Sequence, residues 1–182
     1  MEMAKRIACA LLAAAVVVVG AASCDDAPST MAVHRVDNPW SFAWGVLRQG
    51  PMLVEIRGDP FGIDPVRFRD ITLSAMTEGV QRNDAWAVTT EPSRAGSRSL
   101  RLVMTFNGAS TVSGLDQCLG RSAGGGPLHR GFVWVVATFC DRQTVLASVT
   151  GKIARTDGAS DPKFAALIHQ VMLDMFQSEP RP

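Results

Sequence analysis

The chain has 182 residues, with 18 Lys and Arg against 17 Asp and Glu. Charges of both signs alternate along it with no block of five alike, which speaks against nucleic acid or an anionic surface as an electrostatic partner. The length suits a single domain with a substantial core once a leader is set aside.

Lys5 and Arg6 open the chain with positive charge, and residues 7–23 (IACALLAAAVVVVGAAS) are uncharged and almost wholly apolar. A basic start, a short apolar run and small residues before a cut are the marks of a secretory signal peptide. The run holds 17 residues, marginal for a span that usually takes about 20. Ala21-Ala22-Ser23-Cys24 resembles the lipobox of bacterial lipoproteins, with Ala21 where such boxes favour Leu. The resemblance covers the leader alone. It implies that Cys24 is acylated and becomes the first residue of the mature chain, tied to a bacterial membrane and facing the periplasm. Two or three acyl chains on one cysteine suffice for stable anchoring. Asp25 resembles the inner-membrane retention signal of such proteins in enteric bacteria. Two alternatives stand: ordinary cleavage after Ala22 or Ser23, and an uncleaved anchor.

Residues 24–182 then number 159. Asp25 to Asn38 is polar and aperiodic and reads as a tether. Fourteen flexible residues have an end-to-end distance of roughly 20 Å. The domain is expected over 39–182. Residues 39–50 carry Trp40, Phe42, Trp44, Val46 and Leu47, whose spacing suits a strand or a helical turn. Met52 to Arg57 is a short strand carrying Glu55, and Gly58 to Gly62 a turn. Arg57-Gly58-Asp59 spells the adhesion tripeptide, which recurs too often by chance to carry that function.

Asp64-Pro65 opens a helix as N-cap and first helical residue. Its apolar face is Phe68, Ile71, Thr72, Ala75 and Met76, and Gly79 is placed to end it. Ala85 to Thr90 and Leu100 to Asn107 read as strands. Gly108 to Arg130 is irregular and rich in glycine, and Gly120 to Gly126 reads as a mobile surface loop. Phe132 to Cys140 is the most apolar strand and is expected at the centre. Thr144 to Ile153 returns as its hairpin partner, with Gly151 suggesting a bulge. Asp161-Pro162 starts a second helix with the stripe Phe164, Leu167, Ile168, Val171, Met172 and Met175, leaving Leu173 on the far side. Gln177 to Pro182 reads as a frayed tail. The expected fold is α+β: one domain, a mainly antiparallel sheet of about five strands, and two amphipathic helices.

Of the four cysteines, Cys9 leaves with the leader and Cys24 takes lipid. Cys118 and Cys140 remain as one pair in an oxidising compartment, which reads as a disulfide. Two buried thiols are the alternative. His129 lies between them in sequence. A Cys–His nucleophile needs a thiolate that a disulfide removes, and Cys118, His129, Cys140 and Asp141 lack the short ligand spacing of zinc sites. The run Ser110-Thr111-Val112-Ser113 has no base beside it. No hydrolase, metalloprotease or phosphate-loop motif occurs. The expectation is therefore a non-enzymatic envelope lipoprotein with no cofactor, metal or catalytic residue. It would bind or assist an envelope protein, and in layout it is similar to small lipid-anchored accessory subunits of envelope transport systems. The alternatives are a periplasmic carrier of small molecules or lipid, and an unrecognised hydrolase.

Overall fold

A computed structural model describes residues 27–80, 86–128 and 131–176. The leader, Cys24, Asp25, His129, the start of the strand expected from Ala85, and the tail from Gln177 lie outside the described residues. The elements run β1 (Ser29–Arg35), α1 (Pro39–Leu47), β2 (Met52–Arg57), α2 (Pro65–Gly79), β3 (Val88–Thr89), β4 (Leu100–Phe106), α3 (Gly114–Cys118), β5 (Val133–Asp141), β6 (Thr144–Ile153) and α4 (Pro162–Phe176). The fold is α+β, with one mixed sheet of six strands in the order β1-β6-β5-β4-β2-β3.

Four helices stand among the described residues where two are expected, α3 lying within the stretch read as irregular, and three further features depart from expectation. First, β2 pairs parallel with both β3 and β4, while β1, β6, β5 and β4 pair antiparallel in turn. The cause is α2: a helix carried between two strands returns the chain to the start of the sheet, so the next strand runs parallel. Second, the stretch read as a tether contains β1, which pairs Ser29 with Lys152 and Arg35 with Ala147. The strand is a sheet edge, exposed along most of its length, so it lacks the alternation that marks a half-buried strand. The folded sheet thus begins at residue 29 rather than 39. Third, Gly151 sits in regular register, and the bulge falls instead at Phe139/Cys140. A Cβ on Gly151 would lie 2.9 Å from both Leu167 Cδ1 and Val171 Cγ2, so glycine there admits α4 to the sheet.

Residues 39–47 form α1. Asn38 caps it, its Oδ1 accepting from Ser41 N at 3.2 Å, and Pro39 holds the first turn. Ala43, Val46 and Leu47 are buried at helical spacing. Asn38-Pro39, Asp64-Pro65 and Asp161-Pro162 are the same device used three times. Asp64 Oδ1 accepts from Arg67 N at 2.8 Å, and Asp161 Oδ1 accepts from Lys163 N at 2.9 Å. In each pair the short polar side chain meets an orphan helix N–H, and proline fills a position whose N–H has no partner.

The helical layer of α1, α2 and α4 covers one face of the sheet. All six members of the α4 stripe are fully buried, worth about 1.5–3 kcal/mol each in area removed from water. They meet Val135, Ala137 and Phe139 of β5 and Ala147, Val149 and Ile153 of β6 in one cluster. Phe68, Phe106 and Phe164 interlock nearby, the Phe68 and Phe106 ring centres being 5.2 Å apart. At the other end Trp40, Trp86 and Phe176 pack together. The strand expected at the centre, β5, lies between β6 and β4, buried on both faces for most of its length.

Candidate functional site

The second face of the sheet is where the unusual chemistry collects. β-strand alternation sends Val103 and Thr105 of β4, Val136, Thr138 and Cys140 of β5, and Ser148 of β6 away from the helical layer. Thr105, Thr138 and Ser148 are all buried, because the segment between β4 and β5 folds over them.

That segment contains α3, five residues long. Its signal was a Ser-x-x-Asp capping box, hidden in the hydroxyl-rich run. Ser113 Oγ donates to Asp116 Oδ2 at 2.5 Å and accepts from Asp116 N at 3.2 Å, while Ser113 N donates to Asp116 Oδ2 at 3.2 Å. The Ser113 hydroxyl, then its backbone N–H, hold the Asp116 carboxyl below the usual carboxylate range. Gly114 lets the helix descend: a Cβ there would stand 2.9 Å from Ser148 Oγ.

The far end of α3 is bolted to β5. Cys118 and Cys140 form a disulfide with Cα atoms 5.6 Å apart, both sulfurs in a small cluster with Val103. Gln117, fully buried, donates from Nε2 to Thr105 Oγ1 at 2.8 Å and to the Val136 carbonyl at 2.7 Å. Thr105 Oγ1 lies 3.2 Å from Ser122 Oγ, and Thr138 Oγ1 lies 3.1 Å from Ser148 Oγ.

Beside this layer Glu55 holds two arginines. Its Oε1 accepts from Arg101 Nε at 2.7 Å and its Oε2 from Arg57 Nη2 at 2.5 Å. Arg101 also donates to the Cys118 carbonyl and the Arg142 carbonyl, each at 2.9 Å. Arg57 Nη1 donates to Ser122 Oγ at 2.7 Å and to the Ser122 carbonyl at 3.0 Å. The planar guanidinium fork suits several fixed acceptors at once. These charges are spent on holding α3 and the following loop to the sheet.

The glycine loop is pinned rather than loose. Gly125 N donates to the Phe106 carbonyl at 2.9 Å, the Gly125 carbonyl accepts from Asp59 N at 3.0 Å, and the Gly126 carbonyl accepts from Asn107 Nδ2 at 2.9 Å. Gly124 and Gly125 approach other backbone so closely that a Cβ would stand 2.1 Å from Gly58 N or 2.0 Å from Asn107 O. Between this loop and the turn after β4 an open groove of about 480 Å³ runs past Asn107, Thr111, Asp116, Arg121 and Ser122.

Of the residues singled out in the sequence, the structure brings Cys118 and Cys140 together. With both sulfurs bonded to each other, neither offers a thiolate to a nucleophile or a metal. Among the described residues, no group of three or more His, Cys, Asp or Glu is placed to hold a metal ion. His34 stands on β1, His169 on α4 against Gly79 of α2. No helix among the described residues is long and apolar enough to cross a membrane.

No protein-family model matches the chain, and no curated protein matches it. Among solved structures it is similar to a dodecamer of a PelC variant from Paraburkholderia phytofirmans, at 14% identity over 82% of this chain and 98% of that one, with a TM-score of 0.46. A second PelC dodecamer from the same organism shows 13% identity over the same shares, with a TM-score of 0.43. A likeness this loose carries no functional information.

Proposed function

We propose that the protein is a lipid-anchored component of the bacterial cell envelope with a non-enzymatic binding or accessory role toward another envelope protein. The disulfide between Cys118 and Cys140 carries the reading. Such bonds persist in oxidising compartments, which agrees with export directed by residues 1–23 and acylation of Cys24. Asp25 favours the inner membrane, with the domain in the periplasm. The polar layer supports a binding role over a catalytic one, since its arginines, glutamate and hydroxyls are committed to one another. The space between sheet and helices is filled by large side chains such as Phe106, Phe139, Phe164 and Met172, which speaks against a carrier with an interior pocket.

The test is the intact mass of the protein purified without reductant from bacterial membranes, with and without thiol alkylation, followed by cross-linking in mild detergent. A mass of residues 24–182 plus acyl chains, no alkylation, loss of membrane retention in Cys24→Ser, and one recurrent cross-linked partner are expected. A mass retaining Met1, or repeated recovery of the protein alone, would overturn the reading.

A further inference from the structure

The strand β1 shortens the link between the anchor and the domain. Only five residue steps separate Cys24 from Ser29, which pairs with Lys152 in the sheet. Fully extended, five residues reach at most about 18 Å. The headgroup layer that an acylated cysteine must cross is itself roughly 5–7 Å deep. A chain acylated at Cys24 therefore keeps the beginning of β1 within about 11–13 Å of the membrane surface, whatever path the linking residues take.

The strand pairings define what lies at that end. Ser29 is beside Lys152, Trp134 is beside Lys152 on β5, Phe106 is beside Val135, and Arg57 is beside Thr105. The beginning of β1 thus shares one pole of the sheet with the start of β5 and the ends of β6, β4 and β2. The turn from β2 delivers α2 there as well. Pro127 stands 3.3 Å from the position of a Cβ on Gly62, which keeps the loop before β5 at the same pole.

Three large apolar side chains on separate elements are exposed at this pole: Met31 of β1 at 63%, Val66 of α2 at 51% and Leu128 at 46%. Register puts Met31 opposite Thr150, on the side away from α4. There it borders a shallow groove with Trp134 and Lys152. A half-buried tryptophan beside exposed aliphatic groups suits the boundary between acyl chains and headgroups. Exposed charges of both signs, Asp64, Arg67, Lys152, Arg155 and Asp157, stand at the same pole, so the contact rests on the apolar side chains among them rather than on a field of one sign.

We propose that this pole, with Met31, Val66, Leu128 and Trp134, rests on the phospholipid bilayer, so that the domain is docked to the membrane by its own surface as well as by its lipid. The proposal rests on acylation of Cys24. It fixes the orientation of the domain: the opposite pole, with the Pro92–Ser99 loop and the β5–β6 turn, faces away from the bilayer.

The experiment uses the full-length acylated protein in nanodiscs of phosphatidylethanolamine and phosphatidylglycerol. A diazirine-bearing residue is placed in place of Met31, of Val66 or, at the opposite pole, of Arg94, which is two-thirds exposed. Mass spectrometry reads acylation and photoadducts together. Phospholipid adducts at 31 and 66 with none at 94 are expected. An acylated protein with no lipid adduct at 31, with equal adducts at 94, or with protein adducts alone at 31 overturns the docking while leaving the lipid anchor intact. A mass without acyl chains removes both. A second measurement leaves Met31 and Val66 native: lipids brominated just below the headgroup quench tryptophan emission, and Trp134→Phe abolishes that quenching. Equal quenching in the two proteins would also overturn the proposal.

Discussion

Replacing both bridge cysteines, Cys118→Ala with Cys140→Ala, tests how the second face of the sheet is held. The two residues are 22 apart in sequence. Restoring the entropy of an open loop of that length to the unfolded chain costs about 3 kcal/mol of stability by the loop-entropy relation. At roughly 2–4 °C per kcal/mol for a domain of this size, the melting temperature should fall by about 6–12 °C. The loss should also be local in its first stage. α3 is only five residues long, too short to persist alone. Without the bridge it is held by its capping box, by Gln117 on Thr105 and Val136, and by Arg101 on the Cys118 carbonyl. Equilibrium guanidinium unfolding of the oxidised protein and the double variant measures the total. Hydrogen exchange at Leu119 N and Gly120 N, which donate to Leu115 and Gln117 carbonyls, measures the local part. A loss below about 1 kcal/mol, the worth of one ordinary hydrogen bond, would refute the view that the bridge closes this face. So would unchanged exchange in α3.

Two further outcomes follow from local geometry. Gly125→Ala should cost about 2 kcal/mol, from two displaced backbone hydrogen bonds at about 1 kcal/mol each, because its Cβ would stand 2.0 Å from the Asn107 carbonyl oxygen. Gly126→Ala, with nothing within 4 Å of its Cβ, should be close to neutral, and thermal melts of the two variants decide it. Asp161 governs part of the acid sensitivity: burial raises its carboxyl, but N–H donation from Asp157 and Lys163 and the Lys163 charge outweigh that and leave it below its ordinary value. A group lowered by folding adds stability above its unfolded value, and that stability is lost as pH falls through the folded one. Asp161→Asn should therefore flatten the fall in stability between about pH 5 and pH 3, and an unchanged slope in pH-resolved unfolding would count against the cap.

Much of this fold is written locally. The faces of α2 and α4 are visible as helical periodicity because each helix buries one stripe against the sheet, and Asp-Pro marks where each begins. The hairpin of β5 and β6 is visible because its two strands are joined by a short turn and meet each other directly. The bridge follows from parity, once Cys9 and Cys24 are assigned elsewhere. For α1 the spacing of the aromatics left strand and helix both open, and Asn38, taken as part of the tether, is a helix cap only once Ser41 N meets its side chain. The rest depended on partners distant in sequence. β1 has no pattern of its own, since an edge strand exposed along most of its length has no face to segregate; its pairing with β6 holds it in the sheet. Whether β2 runs with or against β4 depends on the path of α2 across the sheet. The glycines of residues 124–126 read as looseness in sequence, yet two of them are needed where backbone meets backbone at Gly58 and Asn107. Gly151 read as a weak point of a strand until α4 packed on it. Periodicity records which side of an element is buried. Which backbone approaches which depends on contacts between segments far apart in the chain, and these the tertiary structure alone decides.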